Sequence, residues 1–241
     1  MQSPYGLGVV ENCLNCKPRG DSCLCGMPPS ILQAFEMVKY TSTYPGDAVL
    51  FVEGQAPRGV FVLCQGRVKL SFSSSDGKTL ILKIADAGEV LGLSATVSGK
   101  PYELTAETID PCQISFIKRE DFLRLLHAYP DFSFRVAELL SEKYNSACHE
   151  IRSLALSHSA EEKLAKLLLE WSGKNAQGKH DGRVRLALTH EEISQMIGTS
   201  RETVTRLFAE LKKRQIVHAN GATLMIRNKA ALESMARSNA G

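Results

Sequence analysis

Three charged side chains crowd the start of one amphipathic stretch near the C-terminus: Arg201, Glu202 and Arg206. On a helix, Glu202 and Arg206 sit one turn apart on nearly the same face. A guanidinium can donate two hydrogen bonds to O6 and N7 of guanine, and a carboxylate can accept from the amino group of cytosine. Such a pair suits adjacent bases on opposite strands of duplex DNA. The plainer reading is an intrahelical ion pair on a solvated face, worth about 0.2–0.5 kcal/mol. Lys212, Lys213 and Arg214 close the same stretch, where cations meet phosphates or complement a helix dipole. The hydroxyls of Thr189, Thr199, Ser200, Thr203 and Thr205 complete the candidate DNA-facing set.

The other reactive residues are cysteines. Of seven, Cys13, Cys16, Cys23 and Cys25 fall within one short N-terminal segment, while Cys64, Cys112 and Cys148 are scattered. An odd number, in a chain whose first residues lack the basic and apolar stretches of a secretory signal, argues for reduced cysteines in the cytoplasm. Four local thiolates can hold a tetrahedral zinc ion. Neighbouring thiols can also form a redox switch without metal. A thiol-disulfide oxidoreductase built on Cys13-x-x-Cys16 would need a βαβ pattern, which is absent. No nucleophile–base constellation is present, so the chain is not expected to be an enzyme.

The elements that must position these residues fall into an order. From Tyr44 to about Phe116, short β-type runs (Val49–Val52, Val60–Leu63, Val68–Phe72, Thr79–Ile84) alternate with Gly- and Asp-bearing turns, which predicts an antiparallel sandwich or barrel. Cys112, Ile114 and Phe116 alternate as one inward strand face, the ordinary reading of Cys112. From Phe132 to Leu156 no Pro or Gly occurs, which predicts one long helix. Along it Ala137, Leu140, Tyr144, Ala147, Ile151 and Leu154 form a heptad seam, fit either for a second copy or for the protein's own β domain.

Thr189 with Glu192 reads as a capping box for a helix that buries Ile193, Met196 and Ile197 and ends at Gly198. Thr199 with Glu202 repeats the arrangement for a second helix, whose Val204, Leu207, Phe208 and Leu211 make the buried stripe. Two short helices around a Gly turn form a helix-turn-helix, and Asn220-Gly221 between apolar residues predicts a β wing after it. The charge agrees: residues 1–159 carry a net −2 and residues 160–241 a net +5. A basic module of this kind suits a polyanion. The longest purely apolar runs, Val60–Cys64 among them, are too short to cross a bilayer.

A β domain, a heptad-bearing helix and a winged helix-turn-helix, in that order, resemble the Crp/Fnr superfamily of bacterial transcription regulators. The most specific segment is Gly198-Thr199-Ser200-Arg201-Glu202-Thr203-Val204-Thr205-Arg206-Leu207, similar to the DNA-reading helix of the cyclic-AMP receptor branch. The resemblance implies an α+β chain with a cysteine-rich segment (1–29), a cyclic-nucleotide-binding-like jelly roll (30–130), a dimerisation helix (131–158) and a winged helix-turn-helix domain (159–241). It also implies a homodimer reading a TGTGA-like palindrome, with RNA polymerase as a further partner through the loop Gly173–Gly182. Gly88-Glu89-Val90 resembles the family's ribose-binding segment, but Leu104 precedes Thr105 where the phosphate-binding arginine belongs. A buried phosphate would lack its main counter-charge, and Glu103 would repel it, so cyclic AMP is disfavoured. Arg67 and Lys78 are the candidate substitutes.

The sensor end is similar to the oxygen-sensing Fnr branch. That likeness implies a [4Fe-4S] cluster on Cys13, Cys16, either Cys23 or Cys25, and Cys112. The third ligand departs from the branch's spacing, with six or eight residues after Cys16 in place of five.

Overall fold

β-Branched and aromatic runs between tight turns fold into two antiparallel sheets. The computed structural model describes residues 5–8, 12–13, 24–156, 159–175, 183–185, 188–220 and 223–237. The β domain contains β1 (Lys39–Tyr44), β2 (Val49–Phe51), β3 (Gly59–Gln65), β4 (Val68–Ser73), β5 (Thr79–Ala85), β6 (Val90–Leu91), β7 (Thr105–Thr108) and β8 (Cys112–Lys118). One sheet runs β1-β8-β3-β6 and the other β2-β7-β4-β5. All four strand runs expected from alternation are present. β1 is an edge strand, paired from Lys39↔Ile117 to Tyr44↔Cys112.

Two apolar cores follow from the two faces of the first sheet. Cys112, Ile114 and Phe116 point with Phe51, Phe61, Leu63 and Tyr102 into the space between the sheets. Ile117 instead joins a core made with helices α1 (Pro29–Val38), α3 (Arg119–Ala128) and the start of α4 (Pro130–Leu156), where Phe122 meets Phe132 edge-on at 5.5 Å. Each of these rings, fully buried, contributes roughly 1.5–3 kcal/mol. The short α2 (Leu93–Ser98) closes the β6–β7 connection.

Helix α4 covers the stretch that the absence of Gly and Pro predicted. It carries two stripes. Phe132, Val136 and Leu139 are buried in the β domain's own core, and Leu140 packs partly against it. Of the heptad seam, Tyr144 and Ile151 are 70% and 63% exposed, Ala137 is exposed and Ala147 half-buried. The side chain of Leu154 lies outside the described residues. The chain divides into two compact units, residues 1–146 and 147–241, so the division falls inside α4, ahead of the charge step at residue 159.

The C-terminal unit holds α5 (Ala160–Asn175), β9 (Arg183–Arg185), α6 (His190–Ile197), α7 (Arg201–Lys213), β10 (Val217–Asn220), β11 (Thr223–Ile226) and α8 (Lys229–Arg237). Its core joins Leu164 and Leu168 of α5, Ile193 and Ile197 of α6, and Val204, Leu207, Phe208 and Leu211 of α7. β10 and β11 pair from Val217↔Ile226 to Asn220↔Thr223, with β9 on the far side of β11, which makes the wing. Asn220 therefore belongs to the strand ladder, and residues 221–222, the connection itself, lie outside the described residues, as do 157–158 of the expected hinge and 176–182 of the loop expected to meet RNA polymerase.

Candidate nucleic-acid interface

Both helices of the pair start on side-chain caps. At α6 the Thr189 hydroxyl accepts from the Glu192 N–H at 3.2 Å, and the Glu192 carboxylate accepts from the Thr189 N–H at 2.8 Å. Gly198 ends α6 in the left-handed region (φ 64°), a conformation that L side chains resist. One detail differs from expectation. The cap of α7 is Ser200, extended at φ −89° and ψ 154°, whose hydroxyl accepts from the Thr203 N–H at 3.2 Å; Thr199 lies one residue outside. Because Arg201 already has helical geometry, the cap needs an oxygen at position 200, and Glu202 falls in the first turn.

Burial of Val204, Leu207, Phe208 and Leu211 turns the opposite side of α7 outward. Arg201, Glu202, Thr205, Arg206, Lys212 and Lys213 are all exposed, as are Thr189 and Ser200; Thr199 and Thr203 are half-exposed. Glu202 and Arg206 form no ion pair with each other among the described residues. The Glu202 carboxyl is held below its ordinary range by its own backbone N–H and the Ser200 hydroxyl, helped by Arg201. The carboxylate thus belongs to the helix start and stays ionised, an acceptor held in place one turn before an exposed guanidinium. Lys212 and Lys213 extend the positive edge at the helix C-terminus, while Arg214 reaches Glu161 at 3.3 Å.

Sequence periodicity missed His190. Its imidazole lies flat on Phe208, 5.0 Å between centroids with planes 5° apart, and Nδ1 is 2.9 Å from the Thr205 hydroxyl. The partners are far apart in sequence, so no short-range pattern could have disclosed them.

Two family descriptions match the chain: a cyclic nucleotide-binding domain over residues 41–129 and a Crp-like helix-turn-helix domain over residues 162–235. The chain is a Crp/Fnr-family transcription regulator, DNA-binding through its helix-turn-helix and not an enzyme. Among relatives of this regulator, the cAMP-activated global transcriptional regulator CRP of Haemophilus influenzae is 25% identical over 184 residues, 76% of this chain and 82% of the relative. The cyclic AMP receptor protein of Thermus thermophilus is 25% identical over 196 residues, 80% and 86% of the two chains. Among solved structures, FixK2 from Bradyrhizobium japonicum superposes with a TM-score of 0.73 at 22% identity, covering 84% of this chain and all of that one. The c-di-GMP responsive regulator CLP from Xanthomonas campestris gives 0.72 at 19% identity, covering 83% and 99%. These two likenesses are likenesses of fold.

In the Crp/Fnr regulator's β domain, the residues of the nucleotide motif are occupied by the protein itself. Glu89 accepts from Lys83 at 2.6 Å and from the Asp86 N–H at 3.1 Å. Lys143 of α4 approaches the same pair; burial lowers its pKa and Glu89 partly offsets this. Thr105 accepts from the Glu53 N–H at 3.0 Å, and Glu103 accepts from Ser94 at 2.8 Å. Leu104 packs partly against the inter-sheet core. Neither substitute cation is spare, since Arg67 grips Asp110 through two nitrogens at 2.6 and 3.0 Å and Lys78 pairs with Asp76 at 2.8 Å.

The cysteines divide between the two cores. Cys13 packs with Ile31, Phe35 and Phe122, its sulfur 3.3 Å from Lys39 Nζ and its N–H on Glu36 at 2.5 Å. Burial opposes the Lys39 charge, but Glu36 and Cys13 together hold its pKa above the ordinary value. Cys112 packs between the sheets, with its thiol donating to the carbonyls of Asp110 and Arg67 at 3.1 and 3.4 Å; burial pushes its pKa up to about 11. Lys39 and Tyr44, the Cys112 partner, stand at opposite ends of β1, about 17 Å apart at ~3.4 Å per residue. Cys13 and Cys112 belong to separate apolar cores, so this arrangement does not bring them into one coordination sphere. Cys16 and Cys23, and the side chain of Cys25, lie outside the described residues. Cys64 is buried beside Ser115 at 3.4 Å, and Cys148 is exposed on α4.

Among the described residues no helix is long and apolar enough to cross a membrane.

Proposed function

We propose that this regulator acts as a homodimer on a TGTGA-like palindrome, with Arg201, Glu202 and Arg206 reading base edges and the flanking hydroxyls with Lys212 and Lys213 meeting phosphates. The observation that carries the reading is a capped α7 whose buried stripe turns those three side chains together into solvent, the half of the helix that enters the major groove in this motif. The second copy is assigned to the α4 seam because Tyr144 and Ile151 leave large apolar surface in water on a helix whose other stripe is already satisfied. Sedimentation of the protein with the palindrome and with a single half-site tests both parts. A dimer that binds the palindrome far more tightly than the half-site supports them; a monomer with equal affinity for both overturns the dimer.

The signal is read as redox, through the N-terminal cysteines. Lys39 against the Cys13 sulfur supports it, since an adjacent ammonium favours the thiolate. Of the three cysteine chemistries, a thiol switch or a local zinc site asks nothing of Cys112, whereas the [4Fe-4S] cluster does. The cyclic-nucleotide alternative is favoured by the two named relatives, one a cAMP-activated regulator and the other a cyclic AMP receptor protein, and opposed by Leu104 and the occupied polar groups around it. Anaerobic purification with a visible spectrum and iron, sulfide and zinc analysis separates these readings, repeated on Cys112→Ser. Stoichiometric iron and sulfide lost in that variant would restore the cluster; a metal-free protein that binds DNA only when reduced identifies the thiol switch. Contact with RNA polymerase through residues 173–182 is carried over from the family.

A further inference from the structure

Arg201, Thr205, Phe208 and Lys212 follow one another along α7 at steps of four, three and four, so they line one side of the helix. His190, the first residue of α6, lies across the middle of that line, on Phe208 and Thr205, with one cation toward each end. The Thr205 hydroxyl donates its proton to the Arg201 carbonyl at 3.0 Å. It therefore accepts from His190, whose Nδ1 must carry a hydrogen. Titration of the ring then falls on Nε2.

The charged groups acting on the ring from α7 are Arg201 and Lys212, both positive. On α6, Glu192 is folded back onto Thr189 and Glu191 accepts from Gln195 at 3.4 Å. Burial first, then Lys212 and Arg201, hold the His190 pKa below its ordinary value of 6.5, which favours the neutral ring in the free protein. A polyanion laid along this edge reverses the balance, because an added negative charge near the ring favours its charged form.

We propose that His190 is a proton-linked phosphate contact, neutral in the free regulator and protonated at Nε2 when the backbone of duplex DNA docks along the Arg201–Lys212 edge of α7. The inference rests on the DNA-interface reading and adds to it a residue and a dependence on pH. Docking takes up as much as one proton per protomer, so affinity rises as pH falls. The effect is independent of sequence, since phosphates carry no base information.

Fluorescence anisotropy at constant ionic strength, from about pH 8 to about pH 6, where histidine titrates, tests this on the TGTGA palindrome and on a scrambled duplex. The wild type is expected to tighten on both as pH falls, by at most about tenfold per pH unit for each proton taken up. His190→Asn keeps a donor for Thr205 but cannot titrate, and its affinity is expected to be flat over the same range. Equal slopes in the two proteins, or no slope in the wild type, would overturn the proposal while leaving DNA binding intact. Failure of the wild type to bind either duplex at any pH would overturn the interface itself. Should the variant unfold, the wild-type His190 ring can be titrated by NMR with and without duplex: a higher pKa in the complex supports the proposal and an unchanged one refutes it.

Discussion

The ring of Tyr102 stacks on Phe51 between the two sheets, 4.1 Å between centroids and 22° between planes, and its hydroxyl donates to the Gly59 carbonyl at 2.9 Å. With Phe61 and Phe116 adjoining, aromatic side chains fill the interior beside the segment that resembles a nucleotide cradle. Titration calorimetry with cyclic AMP is therefore expected to show no saturable heat. Tight binding that survives replacement of Cys13 and Cys16 would reinstate the cyclic-nucleotide reading.

The same ring is a stability element. Tyr102→Phe removes a buried hydroxyl bonded to the Gly59 carbonyl and to the N–H groups of Arg58 and Gly59. Its loss leaves buried polar groups unmet, at a cost of about 1–3 kcal/mol. Gly92→Ala is expected to be at least as damaging, because Gly92 has φ +70° and an added Cβ would lie 2.7 Å from the Tyr102 ring. Urea unfolding measures both; unchanged midpoints would contradict the packing described.

Cys112 should be the slow thiol and Cys148 a fast one. With its pKa raised to about 11 by burial, Cys112 stays protonated under conditions where exposed thiols react. Between its ordinary value of 9.0 and about 11 the folded state binds a proton that the unfolded state has lost, so stability falls as pH rises through that window. Mass spectrometry after brief alkylation of the native protein checks the order of labelling. Early modification of Cys112 would show that it is accessible.

Much of this architecture was legible in local pattern. Short β-type runs between turn residues predicted β3, β4 and β5, and the stretch free of Gly and Pro predicted α4; β3 is an unbroken apolar run buried on both faces. β1 was not legible: Lys39 to Tyr44 is polar and half-exposed, an edge strand held by its pairing with β8 and by Thr41 on Ser115 at 2.9 Å. The α7 cap was displaced by one residue because Thr199 and Ser200 are both capping types, and only backbone geometry chooses between them. His190 and Tyr102 find their partners across long stretches of chain, as does the separation of Cys13 from Cys112, which depends on which sheet face each one joins.

Replacing Tyr144 or Ile151 by Glu is expected to convert dimer to monomer while the single protomer still folds, since neither side chain is buried within its own chain. Burying an unpaired carboxylate at a helix–helix seam is what the dimer would resist. Light scattering gives the mass. A full-sized dimer in both variants would remove the seam.

Ser200→Ala deletes the α7 cap and should cost about 1 kcal/mol of stability in the C-terminal unit. DNA affinity should fall with it on every sequence, because the cap orders the turn from which Arg201 and Glu202 project. Ser200→Asp, which preserves an accepting oxygen, should restore the stability; equal unfolding for all three proteins would deny the cap its role.

Base reading by α7 is tested most directly by measuring binding of wild type, Arg206→Ala and Lys213→Ala to the TGTGA palindrome and to duplexes changed at one half-site position at a time. Arg206→Ala should lose about 1–3 kcal/mol on the parent site and lose its preference at a single base pair, while Lys213→Ala weakens all duplexes alike and reduces the salt dependence. If Arg206→Ala weakens every duplex equally and keeps the wild-type order of preference, α7 does not read bases through this residue and the account is contradicted.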